Sequence, residues 1–239
     1  MKKHVTLTFT FFIILFTFSS CMFLGPSISG NGHVTTETRD ITDFNQIKVS
    51  TGLPVVLVQS DHEQVTIEAD ENLHDVIRTE LKRKELNIFT DERIRKYRRL
   101  KITIQFTDLN ELHSSAGAKI TSDGILHVRE LSTSASSGSN QILTINTRDF
   151  EGRTSSGANI IVDGKSQRVK LRASSGSNLK AGALKAESCE ADASSGANIQ
   201  LEVNRKFDGE ASSGGNIFYS GNPTSVSIDT SSGGKIQKQ

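Results

Sequence analysis

The chain has 239 residues and a formal net charge of +1 at pH 7, with 28 Lys and Arg residues against 27 Asp and Glu residues. This balance gives no support for nucleic acid as a partner, because nucleic-acid-binding proteins carry an excess of basic residues. The chain has 2 cysteines, so an intrachain disulfide is excluded if one of them carries another group.

Residues 1–20 have the pattern of a signal peptide. Lys2 and Lys3 precede the apolar run 5–18, which is too short for a membrane-spanning helix of roughly 20 apolar residues. The segment ends in Phe18-Ser19-Ser20-Cys21, which resembles the lipobox of a bacterial lipoprotein. We therefore expect cleavage before Cys21 and a lipid on that cysteine. An ordinary secretory peptide with an incidental cysteine is the alternative.

The lipid would anchor the mature chain to a membrane, because no later apolar run is long enough to cross one. Removing Lys2 and Lys3 with the leader leaves 26 basic and 27 acidic residues, a formal charge of −1. Residues 21–39 are predicted to combine the lipidated cysteine with a flexible tether, since residues 22–39 are rich in Gly, Ser, Thr and Asn.

Residues 40–239 are predicted to form one domain, whose first part alternates as β-strands do. Its β-rich runs are residues 47–49, 54–58, 65–69, 86–89 and 100–106. Residues 72–84 also have apolar spacing that a helix could use. We predict that residues 40–112 form irregular N-terminal coils, which cover one end of the fold as an atypical end repeat must.

A basic cluster lies within this first part. It consists of Arg93, Arg95, Lys96, Arg98 and Arg99, which surround Tyr97. A solvated hairpin or exposed strand edge is one interpretation. The other is a patch for anionic ligands, either lipid headgroups or acidic glycans.

A six-residue phrase recurs through the regular repeats, residues 113–239, and predicts a repeat architecture. Close copies of Ser-Ser-Gly-x-Asn, followed by Ile or Leu, begin at Ser155, Ser174, Ser194 and Ser212. Looser copies begin at Ser115, Ser136 and Ser231, and in the second of these Gln141 precedes Ile142. The glycines recur every 18–21 residues. This period suits one coil of a single-stranded parallel β-helix, with about 19 residues per coil.

Three columns of residues before each phrase are predicted to face the core, since positions two apart lie on one side of a strand. The columns stand seven, five and three residues before the glycine, and the first holds Asn110, Leu131, Phe150, Val169, Cys189, Phe207 and Val226. In the last coil the second column holds Ile228 and the third holds Thr230. Where this column holds Phe150 or Phe207, the next holds Gly152 or Gly209, as close packing requires. Cys189 is interpreted as a packed thiol, with a reactive or pairing thiol as the alternative.

The repeated phrase is predicted to form the corners of the coils. Glycine supplies a positive φ, and Asn tolerates the left-handed region and bonds its own backbone. Coils stacked about 4.8 Å apart would place these residues in a structural ladder. Its members are Gly138, Asn140, Gly157, Asn159, Gly176, Asn178, Gly196, Asn198, Gly214 and Asn216. A binding strip made by the same Ser and Asn rows is the alternative.

The sequence has no pattern typical of a catalytic or metal site. It contains no His-x-x-x-His or Cys-x-x-Cys group, so neither a metal nor a cofactor is predicted. Some parallel β-helices process polysaccharides, and the strand charges Asp149, Glu151, Arg153, Arg168, Lys170 and Arg172 could imitate such a site. Alternating outward charges are usually only solvated, so we predict no enzyme and keep this reaction as the least favoured alternative.

The repeated phrase, the segment 43–49 and the terminal Ser-Gly-Gly-Lys-Ile resemble the family named "putative auto-transporter adhesin, head GIN domain". The resemblance covers residues 40–239. It implies a right-handed β-helix of the all-β class, a short turn and then a strand at residues 72–84, and a location in the cell envelope. Together with the lipobox-like segment, it leads us to expect an outer-membrane lipoprotein. It carries over no catalytic or binding residue. Acidic residues that favour surface export in the family are absent from residues 22–25, so both the periplasmic and the surface-facing side stay open.

These observations predict a non-enzymatic, lipid-anchored envelope protein that binds a cell-surface glycan or protein as an adhesin. The alternative is a self-associating periplasmic scaffold. The chain ends directly after the last corner phrase, which leaves an exposed end coil through which a homo-oligomer would form.

Overall fold

A computed structural model of the chain describes residues 26–239, which form a nearly all-β solenoid of about 7 turns. Parallel strand pairs lie about 19 residues apart along the chain. The prediction of a parallel β-helix with coils of about this length is therefore confirmed. The predicted signal peptide, Cys21 and residues 22–25 lie outside the described residues.

The strands fall into an N-terminal group and a repeat group. The first group is β1 (Ser27–Ile28), β2 (Val34–Arg39), β3 (Gln46–Val49), β4 (Pro54–Gln59), β5 (Gln64–Asp70), β6 (Ile77–Lys82), β7 (Glu85–Thr90), β8 (Arg93–Ile94) and β9 (Leu100–Phe106), with a 3₁₀ turn at Glu71–Leu73. The second is β10 (Glu111–Ser114), β11 (Lys119–His127), β12 (Glu130–Ala135), β13 (Asn140–Thr154), β14 (Asn159–Ala173), β15 (Asn178–Ala193), β16 (Asn198–Ala211), β17 (Asn216–Ser220), β18 (Ser225–Thr230) and β19 (Lys235–Lys238).

The regular coils stack in parallel with equivalent residues side by side. β13 to β16 each follow most of one coil, and each pairs with the next. Asn140 pairs with Asn159, and Asn159 pairs with Asn178. Burial alternates along each of these strands, so one row of side chains fills the interior while the next faces solvent. The core therefore runs along the inside of the solenoid.

Residues 40–112, predicted as irregular coils, join the solenoid through strands of both directions. β3 and β4 continue the parallel stack and pair with β10 and β11. β5 runs antiparallel to β2 and β9, and β6 runs antiparallel to β7. The predicted turn and strand at residues 72–84 are confirmed as the 3₁₀ turn and β6. Antiparallel strands thus form much of the cover over the N-terminal end of the core.

The prediction of a flexible tether over residues 21–39 is wrong from Pro26 onward. β1 pairs in parallel with β8, and β2 pairs with β5. Asn72 Nδ2 also donates a hydrogen bond to Ser29 O at 2.9 Å. A segment of tether-like composition is ordered here because distant strands supply its hydrogen-bond partners. Within residues 26–239, no helix is long and apolar enough to cross a membrane.

The three predicted inward columns are buried from Leu112 to Ala211. Asn110, before them, is exposed, and so are Val226, Ile228 and Thr230 of the last coil. The prediction is wrong at these four positions. Val226, Ile228 and Thr230 lie in the last described coil, which pairs with the coil before it, whereas the backbone of Asn110 is hydrogen-bonded to Asn45 on one side and to Ser132 on the other.

The pairing of Phe with Gly between columns has a steric cause. A Cβ on Gly209 would lie 2.6 Å from Phe207 Cζ, and a Cβ on Gly152 would lie 3.2 Å from Phe150 Cε1. Both rings are almost fully buried. Each glycine therefore provides the room that its aromatic neighbour occupies, as the column pattern predicted.

A polar network replaces apolar packing at one corner of the core. Gln141 is fully buried at the position that Ile160 holds in the next coil. Its Nε2 donates to Ser114 Oγ at 2.9 Å and to Ser134 O at 2.8 Å, and Thr133 Oγ1 donates to its Oε1. The amide is therefore satisfied within the core.

Candidate functional site

The corner phrases form tight turns with two consecutive residues in the left-handed region. Ser156 has φ 51° and Gly157 has φ 70°, and Ala158 N donates to Ser155 O at 3.1 Å. Gly157 N also donates to Ser175 O of the next coil at 3.2 Å. Sequence reasoning assigned the positive φ to glycine and missed the residue before it. The available signal was the small residue, Ser or Ala, that precedes the glycine in every copy.

The structure brings the predicted corner asparagines into one hydrogen-bonded row. Asn159 Nδ2 donates to Asn140 Oδ1, and Asn178 Nδ2 donates to Asn159 Oδ1, both at 3.0 Å. Asn198 and Asn216 continue the row at 3.1 Å per step. The predicted glycines Gly138, Gly157, Gly176, Gly196 and Gly214 all have positive φ. Each inner amide thus has a donor and an acceptor within the row, as in other stacked Asn ladders.

Replacing Asn178 by Ala is expected to lower the free energy of unfolding by about 2 kcal/mol, because it removes two hydrogen bonds of the row. Urea denaturation followed by circular dichroism measures the loss. Asn204→Ala is the matched control, since Asn204 is an exposed residue of β16. Equal stability of the two variants would contradict a structural role for the row.

The outward side of the strands before the corners carries charges of both signs, and we name it the charged face. Its members are Glu130, Asp149, Glu151, Arg153, Arg168, Lys170, Arg172 and Glu190. Ion pairs join neighbouring coils across it. Arg168 donates to Asp149, Arg172 Nη1 lies 3.1 Å from Glu151 Oε1, and Lys170 Nζ lies 2.5 Å from Glu190 Oε1.

Two shallow grooves cross the coils on the charged face. The first, of about 540 Å³, is lined by Asp149, Glu151, Arg168, Lys170 and Glu190 among others. The second, of about 420 Å³, follows the first serines of the corner phrases together with Arg153 and Arg172. Both grooves run across successive coils, so an extended ligand would meet the same row of side chains at each coil.

An ion pair on this face determines the charge state of Asp149. The hydrogen bond from Arg168 holds the pKa of Asp149 below its ordinary value, despite the opposing effect of burial. Asp149 is therefore anionic at neutral pH, which is the wrong state for a general acid. Within residues 26–239, no cluster of His, Cys, Asp or Glu side chains is placed to hold a metal ion. The arrangement is suited to binding by charge and hydrogen bonds.

Cys189 is a buried free thiol that pairs in register with Val169 and Phe207. Burial raises its pKa, and the charge of Glu190 raises it further. A thiol that stays protonated is a poor nucleophile. Its surroundings therefore favour packing over reactivity.

The predicted basic cluster lies apart from both grooves. None of its five residues lines either of them. β8, which contains Arg93, pairs with β1 at the start of the described chain. The structure thus separates a basic surface at the N-terminal end from the charged face of the repeats.

The sequence of this solenoid matches the model of one protein family. The model of the family described as "Putative auto-transporter adhesin, head GIN domain" matches residues 43–223. The chain belongs to the head GIN domain family. Among curated proteins, none matches this head GIN domain chain.

Solved structures of low sequence identity share the fold. A crystal structure named "putative adhesin" from Bacteroides fragilis has a TM-score of 0.82 at 20% identity, covering 89% of this chain and 100% of its own. Another "putative adhesin", from Parabacteroides merdae, has a TM-score of 0.70 at 18% identity, covering 90% and 99%. A "Putative lipid binding protein" from Parabacteroides distasonis has a TM-score of 0.69 at 20% identity, covering 89% and 99%. The family name indicates an adhesin of the cell envelope or surface.

Proposed function

We propose that this head GIN domain protein is a non-enzymatic adhesive module that binds a cell-surface glycan or protein through its charged face. The observation that carries the proposal is the pair of grooves, about 540 and 420 Å³, which cross successive coils. Open grooves suit an extended ligand, whereas small-molecule substrates are usually enclosed. Ion-paired charges of both signs favour a polar ligand of low net charge.

A lipid on Cys21 is the proposed attachment of this module to the outer membrane. The apolar run 5–18 and the small residues Ser19 and Ser20 support it. The carbonyl of Pro26 accepts a hydrogen bond from Arg93 N at 3.1 Å, so the ordered domain begins close after the cysteine. An extended chain from Cys21 to Pro26 spans roughly 17 Å, which would keep the N-terminal end of the solenoid near the membrane.

Replacing Cys21 by Ser is expected to release the protein from the membrane fraction of the producing cells in a high-salt wash, because the lipid supplies the hold on the bilayer that salt does not weaken. Protease added to intact cells is expected to cleave the wild-type chain and to spare a periplasmic marker protein. A Cys21→Ser protein that stays membrane-bound at high salt would contradict the anchor. Protection of the wild-type chain until the outer membrane is opened would contradict surface adhesion.

A periplasmic scaffold that assembles with itself is the second candidate, and one observation favours it. Val226 and Ile228 of β18 are 46% and 47% exposed, an apolar strand edge that a second copy could cover. Sedimentation over a range of concentrations distinguishes the two functions. A chain that stays monomeric excludes the scaffold, whereas protease protection with concentration-dependent assembly would replace adhesion by scaffolding.

A further inference from the structure

Residues 93–99, which we name the basic flap, concentrate positive charge on a nearly neutral chain. Lys and Arg make up 5 of its 7 residues, while the whole chain has a formal net charge of +1. Among the ion pairs of residues 26–239, the flap contributes only Arg99, which binds Glu68 Oε2 at 3.0 Å. Arg95, Lys96 and Arg98 are exposed. Within the described residues, the other four basic side chains of the flap therefore present positive charge that no carboxylate neutralises in an ion pair.

Two of the acidic residues around the flap, Glu68 and Asp91, take part in ion pairs. Asp91 is paired with Arg78. Glu92 is half-buried and, within the described part of the chain, takes part in no ion pair. Asp70 accepts hydrogen bonds from the backbone of the flap.

Asp70 holds the flap in one conformation. Its buried carboxylate accepts hydrogen bonds from Arg98 N at 3.1 Å, Arg99 N at 3.0 Å and Gly32 N at 2.9 Å. Burial raises the pKa of Asp70, but these backbone donors outweigh it and hold the pKa below its ordinary value. The carboxylate therefore stays anionic at neutral pH, and it orders the flap mainly through hydrogen bonds from backbone N–H groups.

The flap is also bonded to the first described residues of the chain. Arg95 N donates to Ile28 O at 2.9 Å, and Gly30 N donates to Lys96 O at 2.7 Å. The apolar run 5–18 and Cys21 lie a short distance upstream in the sequence. Whatever attaches the N-terminus to a bilayer therefore brings the flap to the same surface.

We propose that the basic flap docks on the anionic headgroups of a lipid bilayer. Basic clusters beside a membrane attachment bind anionic lipid surfaces. Tyr97, in the middle of the flap, is 49% exposed, and tyrosine is enriched at the membrane–water interface. The solenoid would then rest on the membrane through its N-terminal end, with the charged face left accessible.

The inference rests on the proposed anchor for its setting, but it can be tested without the lipid. The chain from residue 22 onward lacks the leader and Cys21 and keeps every described strand and the whole core. Its co-sedimentation is measured with vesicles of phosphatidylcholine alone and with vesicles that also contain phosphatidylglycerol. The wild type is expected to bind the second kind, and more weakly at high salt.

The test variant is Arg95→Gln/Lys96→Gln/Arg98→Gln, which keeps the backbone donors to Asp70. It is expected to bind anionic vesicles about a hundredfold more weakly, at about fivefold per basic residue. The matched control, Lys165→Gln/Lys180→Gln/Lys185→Gln, removes the same charge from exposed positions of β14 and β15 and is expected to bind as the wild type does. Circular dichroism verifies that both variants fold.

A wild-type chain that ignores anionic vesicles, or a flap variant that binds as well as the control, would overturn the proposal. Tighter binding to soluble polygalacturonate than to vesicles would also overturn it and would make the flap a site for acidic glycans. These results are separate from those on the anchor. Loss of membrane attachment in Cys21→Ser concerns the lipid, whereas vesicle binding by the unlipidated chain concerns the flap.

Discussion

Replacing Gly164 by Ala is expected to lower the free energy of unfolding by about 4 kcal/mol, through backbone strain and overpacking together. Gly164 has φ 109°, a conformation that residues with a side chain rarely adopt. An added Cβ would also overlap the carbonyl oxygen of Ile145 in the neighbouring coil. Because that oxygen belongs to the backbone of the sheet, no side-chain rotation relieves the overlap. Chemical denaturation followed by circular dichroism measures the loss.

Two other glycines separate the contributions to this loss. Gly157 has φ 70° but open space around an added Cβ, so Gly157→Ala is expected to cost about 1 kcal/mol for the left-handed conformation alone. Gly182 has neither constraint, and Gly182→Ala is expected to change stability by less than about 0.5 kcal/mol. If Gly164→Ala cost no more than Gly157→Ala, the close approach of the coils at Ile145 would be contradicted.

Replacing Gln141 by Ala is expected to lower the free energy of unfolding by about 4 kcal/mol, because it leaves both a cavity and unsatisfied polar groups in the core. The side chain is fully buried. It donates to Ser114 Oγ and Ser134 O and accepts from Thr133 Oγ1. Urea denaturation of the variant and the wild type under the same conditions measures the difference.

Two further variants separate the volume of Gln141 from its hydrogen bonds. Gln141→Leu restores most of the volume and is expected to cost about 2 kcal/mol for the groups it leaves without partners. Adding Thr133→Val is expected to recover part of that loss, since removing both members of a buried polar pair can be nearly neutral. A double variant less stable than Gln141→Leu would show that Thr133 acts mainly through its bond to Leu112 O.

Periodicity predicted the coil, its corners and most of its core. Each coil needs the same two local features. One is a corner residue that adopts positive φ, and the other is a set of apolar residues two positions apart. Periodicity did not predict which residue is buried in the second copy of the phrase, at Gln141 and Ile142. Ile142 is the apolar residue that follows this copy in the sequence. However, Gln141 is the residue that pairs with Ile160, and Ile142 is 43% exposed. The core accepts the amide because Thr133 and Ser114 lie within reach of it.

The candidate site was predictable where it follows the repeat. Asn159 and Asn178 lie one period apart, so their stacking was expected from spacing. The same period places Arg168 beside Asp149. This ion pair follows from the spacing of the two residues, but the sequence analysis interpreted both only as outward charges. The grooves on the charged face depend on the shape of the stacked coils, and no local pattern records that shape.

The sequence by itself determined the repeat period, the corner positions and the inward columns, because the backbone conformation of glycine and the alternation of a strand are local properties. Only the tertiary structure decided the N-terminal end. There β5 reverses the strand direction, Asn72 orders Ser29 from 43 positions away, and Asp70 fixes the backbone of Arg98 from 28 positions away. These hydrogen bonds form because the fold brings together segments of unlike sequence, so the repeat spacing does not predict them.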